Sequence, residues 1–395
     1  MRNLVWLLGA VLVALQWLVL RATGLGHISP LIETIGSGLA IFGAAFLLSW
    51  AAEAAQIDIP QALALAFLAL VAVLPEYAVD MYFAWQAPHR PEYTAFATAN
   101  MTGANRLLIG VGWATIVITS WLRRRDRRVI LERSRSIEIF FLLLATLYSF
   151  VIPWKGTVSL WDSLFLVGLF VGYMVVASRA HHEEPELEGT ARIIASWPSA
   201  KRRTAVFLLF AYSAFTIIFA AEPFAEGLIA TGRMFGVEEF ILVQWLAPLA
   251  SESPEFIVAV LFAWSGKPGA GMGALISSKV NQWTLLIGML PVIYSISGGQ
   301  PAAMPLDGRQ VEEILLTAAQ SLFAVAVLGD LEFSLWDAAA VFSLFSAQLF
   351  FTDPATRYGF SAVYVVLTIL LLSVGSKRRR ALRELPALVY NHSFE

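Results

Sequence analysis

The side chains best placed to do chemistry in this 395-residue chain are carboxylates that follow proline within apolar sequence. Pro75-Glu76-Tyr77-Ala78-Val79-Asp80 leads to Phe83-Ala84-Trp85, and Pro254-Glu255-Phe256-Ile257-Val258-Ala259 leads to Phe262-Ala263-Trp264, at a constant offset of 179 residues. Proline inside a helix removes one backbone hydrogen bond and clashes with the carbonyl four residues earlier. The helices are therefore expected to kink or break at Pro75 and Pro254, freeing carbonyl oxygens beside a glutamate. Oxygen-only ligation of this kind suits hard cations such as calcium or sodium.

Asp80 lies four residues after Glu76 on the same helical face, and Glu252 lies one turn before Glu255. Lys279, in the following apolar segment, is the obvious counter-charge. Four acids against one lysine leave three formal negative charges, and Arg106 in the first half reduces that to two. A charge at the bilayer centre costs about 2.5–3.5 kcal/mol on insertion scales, so such groups need a partner or a function. The simpler readings are that Lys279 and Arg106 snorkel or neutralise, and that Asn100, Asn105 and Gln282 hydrogen-bond between helices rather than ligate an ion. Glu222 and Glu226 have no counterpart in the first half and are candidates for an ion pathway.

The surroundings of these residues are those of a membrane protein. Hydrophobic residues make up 58% of the chain and charged residues 14%, with a mean hydropathy of +0.69. Lipid tolerates this composition, because each spanning helix needs about 20 apolar residues and closes its own backbone hydrogen bonds. Apolar stretches lie near residues 3–21, 33–52, 60–87, 93–121, 136–152, 159–179, 204–230, 238–264, 269–296, 310–329, 333–351 and 357–376. The first is read as a retained span, since no small-residue cleavage site precedes Arg21.

Basic clusters at Arg123 to Arg128, Lys201 to Arg203 and Lys377 to Arg380 all fall on one side of such a chain, which the positive-inside rule makes cytoplasmic, with both termini. A prokaryotic inner membrane suits twelve spans with compact loops. Without cysteine there is no thiolate site. The five histidines, His27, His89, His181, His182 and His392, fall in loops or tails, so a transition-metal cage within the membrane is not expected. Neither a nucleic-acid surface nor an obligatory protein partner is indicated; lipids and inorganic cations are the expected partners, with no cofactor.

Two further matches keep nearly the same register: Leu107 to Gly110 with Leu285 to Gly288, and Ser159-Leu160-Trp161-Asp162 with Ser334-Leu335-Trp336-Asp337. Five crossings separate Glu76 from Glu255, which inverts the second copy. The expected fold is all-α, a polytopic membrane protein of about twelve transmembrane helices in two inverted-topology repeats, a pattern of secondary transporters. Residues 1–180 form the first half, with its repeat near 60–121. A cytoplasmic linker covers 181–203, the second half 204–376 with its repeat near 238–296, and a cytoplasmic tail 377–395.

On these residues the chain resembles the sodium/calcium exchanger superfamily of cation/calcium antiporters. Its repeats carry Gly-Thr-Ser-x-Pro-Glu and then Gly-Asn-x-x-Gly-Ser-Asn. Here the second repeat reads Ala250-Ser251-Glu252-Ser253-Pro254-Glu255 and Gly273-Ala274-Leu275-Ile276-Ser277-Ser278-Lys279. The first reads Val71-Ala72-Val73-Leu74-Pro75-Glu76 and Ala99-Asn100-Met101-Thr102-Gly103-Ala104-Asn105. The resemblance implies a central cation site at Glu76 and Glu255, with Ser251, Ser278 and Gln282 at ligand positions.

The chain departs from the motif at Ala72, Val73, Ala104 and Leu108, where polar groups are lost, and at Asp80, Glu252 and Lys279, where charges appear. The resulting expectation is an antiporter, not an enzyme, exchanging calcium against protons or sodium, with Lys279 standing in for one bound cation. A monovalent cation/proton antiporter on the same fold is the alternative. An intramembrane hydrolase using paired glutamates is disfavoured by the lack of a His-Glu-x-x-His pattern.

Overall fold

The computed structural model describes residues 2–23, 29–58, 74–179, 187, 189–351 and 353–394. Its helices, in chain order, begin with α1 (Arg2–Ala22), α2 (Pro30–Ala55), α3 (Leu74–Gln86), α4 (Glu92–Leu107), α5 (Ala114–Arg124) and α6 (Ser136–Ser149). They continue with α7 (Val151–Lys155), α8 (Leu160–Ala177), α9 (Gly189–Ala195), α10 (Ser199–Phe235), α11 (Glu239–Ser265) and α12 (Pro268–Asn281). The last are α13 (Ile287–Ser297), α14 (Gly308–Leu328), α15 (Leu335–Gln348), α16 (Pro354–Val374) and α17 (Ser376–Phe394).

Ten helices among the described residues are long and apolar enough to cross a bilayer. Of the two other expected spans, 333–351 corresponds to α15, a helix of 14 residues, and residues 60–73 of the span 60–87 lie outside the described residues. The protein is therefore an all-α polytopic membrane protein. Extended backbone is confined among the described residues to two short antiparallel pairs: β1 (Arg128–Ile130) with β4 (Glu332–Ser334), and β2 (Thr157–Val158) with β3 (Met304–Pro305).

Contacts divide the chain into two compact units, residues 1–83 with 182–257 and residues 84–181 with 258–395. In the first, α1, α2 and α10 pack through small residues, as helices do where burial from water cannot drive association. A Cβ on Gly43 would come within 2.9 Å of the Ala10 carbonyl oxygen, and one on Gly227 within 2.7 Å of the Thr34 hydroxyl. The Thr34 and Thr231 hydroxyls meet at 2.9 Å. Part of the expected polar linker is helical: α9 buries Ala191 and Ile194 in the same cluster as Ala44, Leu47 and Leu48. Its apolar face provides what the surrounding charged sequence conceals. His181 and His182 lie outside the described residues, as does His27.

In the second unit the repeated Ser-Leu-Trp-Asp segments start α8 and α15 in the same way. Ser159 and Ser334 are N-caps, each in a reciprocal capping box with Asp162 or Asp337. The sequence match is thus a match of local structure. The basic tail also folds, as α17, with Leu385 and Val389 buried.

Candidate functional site

The first unit carries the acids. Glu76 and Asp80 are buried on α3. The Tyr82 hydroxyl donates to Glu226 Oε1 on α10 at 2.6 Å. Glu226 is half-buried, whereas Glu222 is exposed. On α11, Ser251, Glu252 and Pro254 are buried and Glu255 is half-buried.

The α11 helix continues through Pro248 and Pro254 rather than ending there. The interruption expected from the sequence is local: Pro254 has no N–H to give the Ala250 carbonyl, nor Pro248 to give that of Gln244. The Ser251 hydroxyl donates back to the Ala247 carbonyl at 3.2 Å, and Ser253 donates to the Leu249 carbonyl, bonds of a kind that bends helices. The backbone entering Pro75, with Ala72 and Val73 of the first motif, lies outside the described residues.

Amides and fixed cations belong to the second unit. Both helices that follow the Pro-Glu segments widen into a π-helical turn, Leu108–Trp113 after α4 and Gln282–Leu286 after α12. Such turns shift the backbone register by a residue and recur at functional sites. In the sequence repeat, Leu108 corresponds to Leu286, so the two turns occupy adjoining positions of the two copies.

Around these turns the polar side chains are buried: Asn100, Asn105, Arg106, Lys279 and Gln282, with Ser278 half-buried. The structure brings Lys279 to Asn105. Its ammonium donates to Asn105 Oδ1 at 2.6 Å and to the Asn105 carbonyl at 3.3 Å, and lies 4.5 Å from the centre of the Trp283 ring. The Asn105 amide nitrogen in turn donates to the Met101 carbonyl at 2.8 Å, which fixes the amide's orientation. Lys279 is 0% exposed, so its charge rests on oxygen dipoles and a π face, much as a bound cation would.

Arg106 pairs with Glu313 on α14 at 2.5 Å, a residue that sequence reasoning did not single out. Arg357 on α16 reaches Glu312 at 3.1 Å and also pairs with Glu313. The amide of Gln320 donates to the Arg106 carbonyl at 3.2 Å. The available signal was two adjacent acids early in one apolar span and an arginine early in another; only the packing of α14 against α16 shows them paired. Among the described residues, no group of three or more His, Asp or Glu side chains is placed to hold a metal ion.

The family described as sodium/calcium exchanger protein matches residues 28–179 and 205–352. A crystal structure of the H+/Ca2+ exchanger CAX is 47% identical, with a TM-score of 0.95 over 99% of this chain and 98% of that chain. A Ca2+/H+ antiporter protein, YfkE, matches with 13% identity and a TM-score of 0.62 over 92% of this chain and 99% of that one. The sodium-calcium exchanger NCX_Mj matches with 14% identity and a TM-score of 0.53 over 81% and 98%. These last two share the fold. No curated protein matches the chain.

Proposed function

Since this chain belongs to the sodium/calcium exchanger protein family, we propose that it exchanges calcium for protons or sodium by alternating access, with Glu76 and Glu255 as the carboxylates that take up the cation. As a member of that family it is a cation/calcium antiporter of the membrane, not an enzyme. The observation that carries the ion-site reading is the burial of Glu76, Asp80 and Glu252 on helices that contain proline beside them. Carboxylates held in an apolar setting favour whichever partner neutralises them, proton or metal.

Ser251, Ser278, Asn100, Asn105 and Gln282 supply neutral oxygens at ligand positions, and a calcium shell of six to eight oxygens needs several besides the carboxylates. Lys279 holds the place of one bound cation, and Arg106 acts as a fixed charge in the matching span of the first half. Counting Lys279 as a resident charge reduces the number of counter-ions that one calcium must displace. The 47% identity to an H+/Ca2+ exchanger supports protons as the counter-ion. We further place the basic clusters and both termini in the cytoplasm of a prokaryotic cell, with the sequence repeats as the two inverted halves of the transport machinery.

A monovalent cation/proton antiporter is the second reading, favoured by the built-in ammonium of Lys279 between Asn105 oxygens. Purified protein in proteoliposomes separates the two when calcium, sodium and pH gradients are varied singly. The first reading expects calcium flux driven by a pH or sodium gradient and abolished in Glu76→Gln and in Glu255→Gln. Sodium flux against protons with no calcium flux would establish the second, and wild-type rates in both variants would remove these glutamates from the site.

A further inference from the structure

The last membrane span and the helix that follows it form a layered surface. The outward side of α16 is apolar, with Val366, Ile369, Leu370 and Val374 exposed by 52%, 58%, 54% and 85%. In a membrane such a side faces acyl chains. One residue, Gly375, separates it from α17. Five residues beyond Val374 comes Arg379, followed by Arg380 and Arg383, all exposed on α17. Five residues of chain span at most about 18 Å, and Arg383 lies only about 6 Å further along the helix, so these guanidinium groups stay near the end of the apolar side.

The neighbouring basic residues are committed to protein acids. Lys377 pairs with Glu332 at 2.6 Å and Asp330 at 3.5 Å, and Arg378 with Asp337 at 2.9 Å and Asp330 at 3.5 Å. Leu382, Leu385 and Val389 face inward: a Cβ on Gly329 would meet Leu382 at 2.8 Å, and Leu385 is 1% exposed. This packing fixes the rotation of α17. Arg379, Arg380 and Arg383 point away from the protein, and their side chains have no ion pair or hydrogen bond among the described residues. Tyr390, 64% exposed on the same helix, adds the amphipathic ring common at membrane interfaces.

We propose that Arg379, Arg380 and Arg383 form a binding site for the phosphate headgroup of anionic phospholipid in the leaflet at the end of α16. Guanidinium groups pair with phosphate oxygens through two parallel hydrogen bonds, and basic residues just beyond a span draw anionic lipid. Acids at this end, Asp330, Glu332 and Asp337, are already occupied by Lys377 and Arg378, so the outward stripe keeps its charge for the lipid.

Native mass spectrometry of the full chain in detergent, with phosphatidylglycerol or phosphatidylcholine added, tests the site. Wild type is expected to retain phosphatidylglycerol over phosphatidylcholine, and the triple variant R379Q/R380Q/R383Q to lose more than tenfold of that preference. R379K/R380K/R383K should keep most of it, because the charge remains while the planar fork is lost. If the triple glutamine variant does not fold, R380Q alone should give a partial loss in a folded protein. Undiminished preference in the glutamine variants would overturn the site. Displacement of the lipid by millimolar inorganic phosphate would overturn it too, by reassigning the arginines to a soluble anion.

Discussion

The spans Glu92–Arg124 and Pro268–Ser297 share a backbone and differ in how they hold charge. Each follows a Pro-Glu segment, each carries a π-helical turn, at adjoining positions of the repeat, and each has one buried basic residue near that turn. In the first, Arg106 is salt-bridged to Glu313. In the second, the Lys279 ammonium rests on the oxygens of Asn105 and the face of Trp283. A duplicated backbone has kept its geometry while its cations took different partners. One reaches a carboxylate of the scaffold, and the other reaches oxygens contributed by the first copy.

The largest effect should come from breaking the carboxylate pair. Arg106→Met leaves Glu313 with Arg357 as its remaining ion-pair partner and is expected to destabilise the protein by about 3–5 kcal/mol, seen as a large drop in unfolding temperature in detergent. A shift within experimental scatter would mean that the pair is not structural, and the contrast with Lys279 would fail. Lys279→Gln should cost less, about 1–3 kcal/mol for a disturbed buried hydrogen bond, while changing counter-ion stoichiometry or the pH dependence of flux. Unaltered coupling in proteoliposomes would reject Lys279 as a resident charge.

A steric pair sharpens the comparison. Gly110 and Gly288 are equivalent in the repeat, yet a Cβ on Gly110 would overlap the Phe345 ring, whereas one on Gly288 would first meet a Val167 methyl at 2.9 Å. Gly110→Ala should cost about 1–3 kcal/mol through overpacking, and Gly288→Ala less. Equal losses in a thermal scan would show that the two copies are packed alike after all.

The smallest effect belongs to an ion pair outside the spans. Asp58 is bonded to Arg202 at 2.6 Å and Arg203 at 2.9 Å, and the Arg202 hydrogen bond, followed by Arg203 and the charges of both arginines, outweighs burial and holds its carboxyl down to about 2 from 3.8. Its contribution is complete above pH 3.8 and is lost as pH falls through about 2. Arg202 and Asp58 are half-buried and Arg203 is exposed, so the contribution should be about 1 kcal/mol, below that of the fully buried Arg106 pair. Arg202→Gln should therefore lower stability slightly at neutral pH and less at pH 2; an effect matching that of Arg106→Met would erase the distinction between fully and partly buried pairs.

Hydropathy and repetition made the spans legible in the sequence, and the Ser-Leu-Trp-Asp match, noted there only as a repeat, turned out to mark two capping boxes. Lys279 and Asn105 were visible as candidates because a lysine or asparagine in apolar sequence is conspicuous. Their partnership was not, because 174 residues separate them. Glu312, Glu313 and Arg357 lie near the starts of their helices, where charge ordinarily marks a span's edge; only tertiary packing turns them into a buried network. The π turns left no trace, since one shifted hydrogen bond scarcely alters the spacing of apolar residues. At Pro254, where a kink or a break was expected, the helix continues without the bond to the Ala250 carbonyl.

The 37 residues of α10 have a consequence for the bilayer itself. At 1.5 Å per residue such a rod is about 55 Å long, against a hydrocarbon layer of about 30 Å. Even without its polar first turn, Lys201-Arg202-Arg203, it exceeds the distance to be crossed. It must therefore lean steeply or project into the headgroups, and Pro223 supplies a point where its two parts can take different inclinations. Hydrophobic mismatch is thus built into this element, making membrane thickness a physical variable to which the protein is coupled.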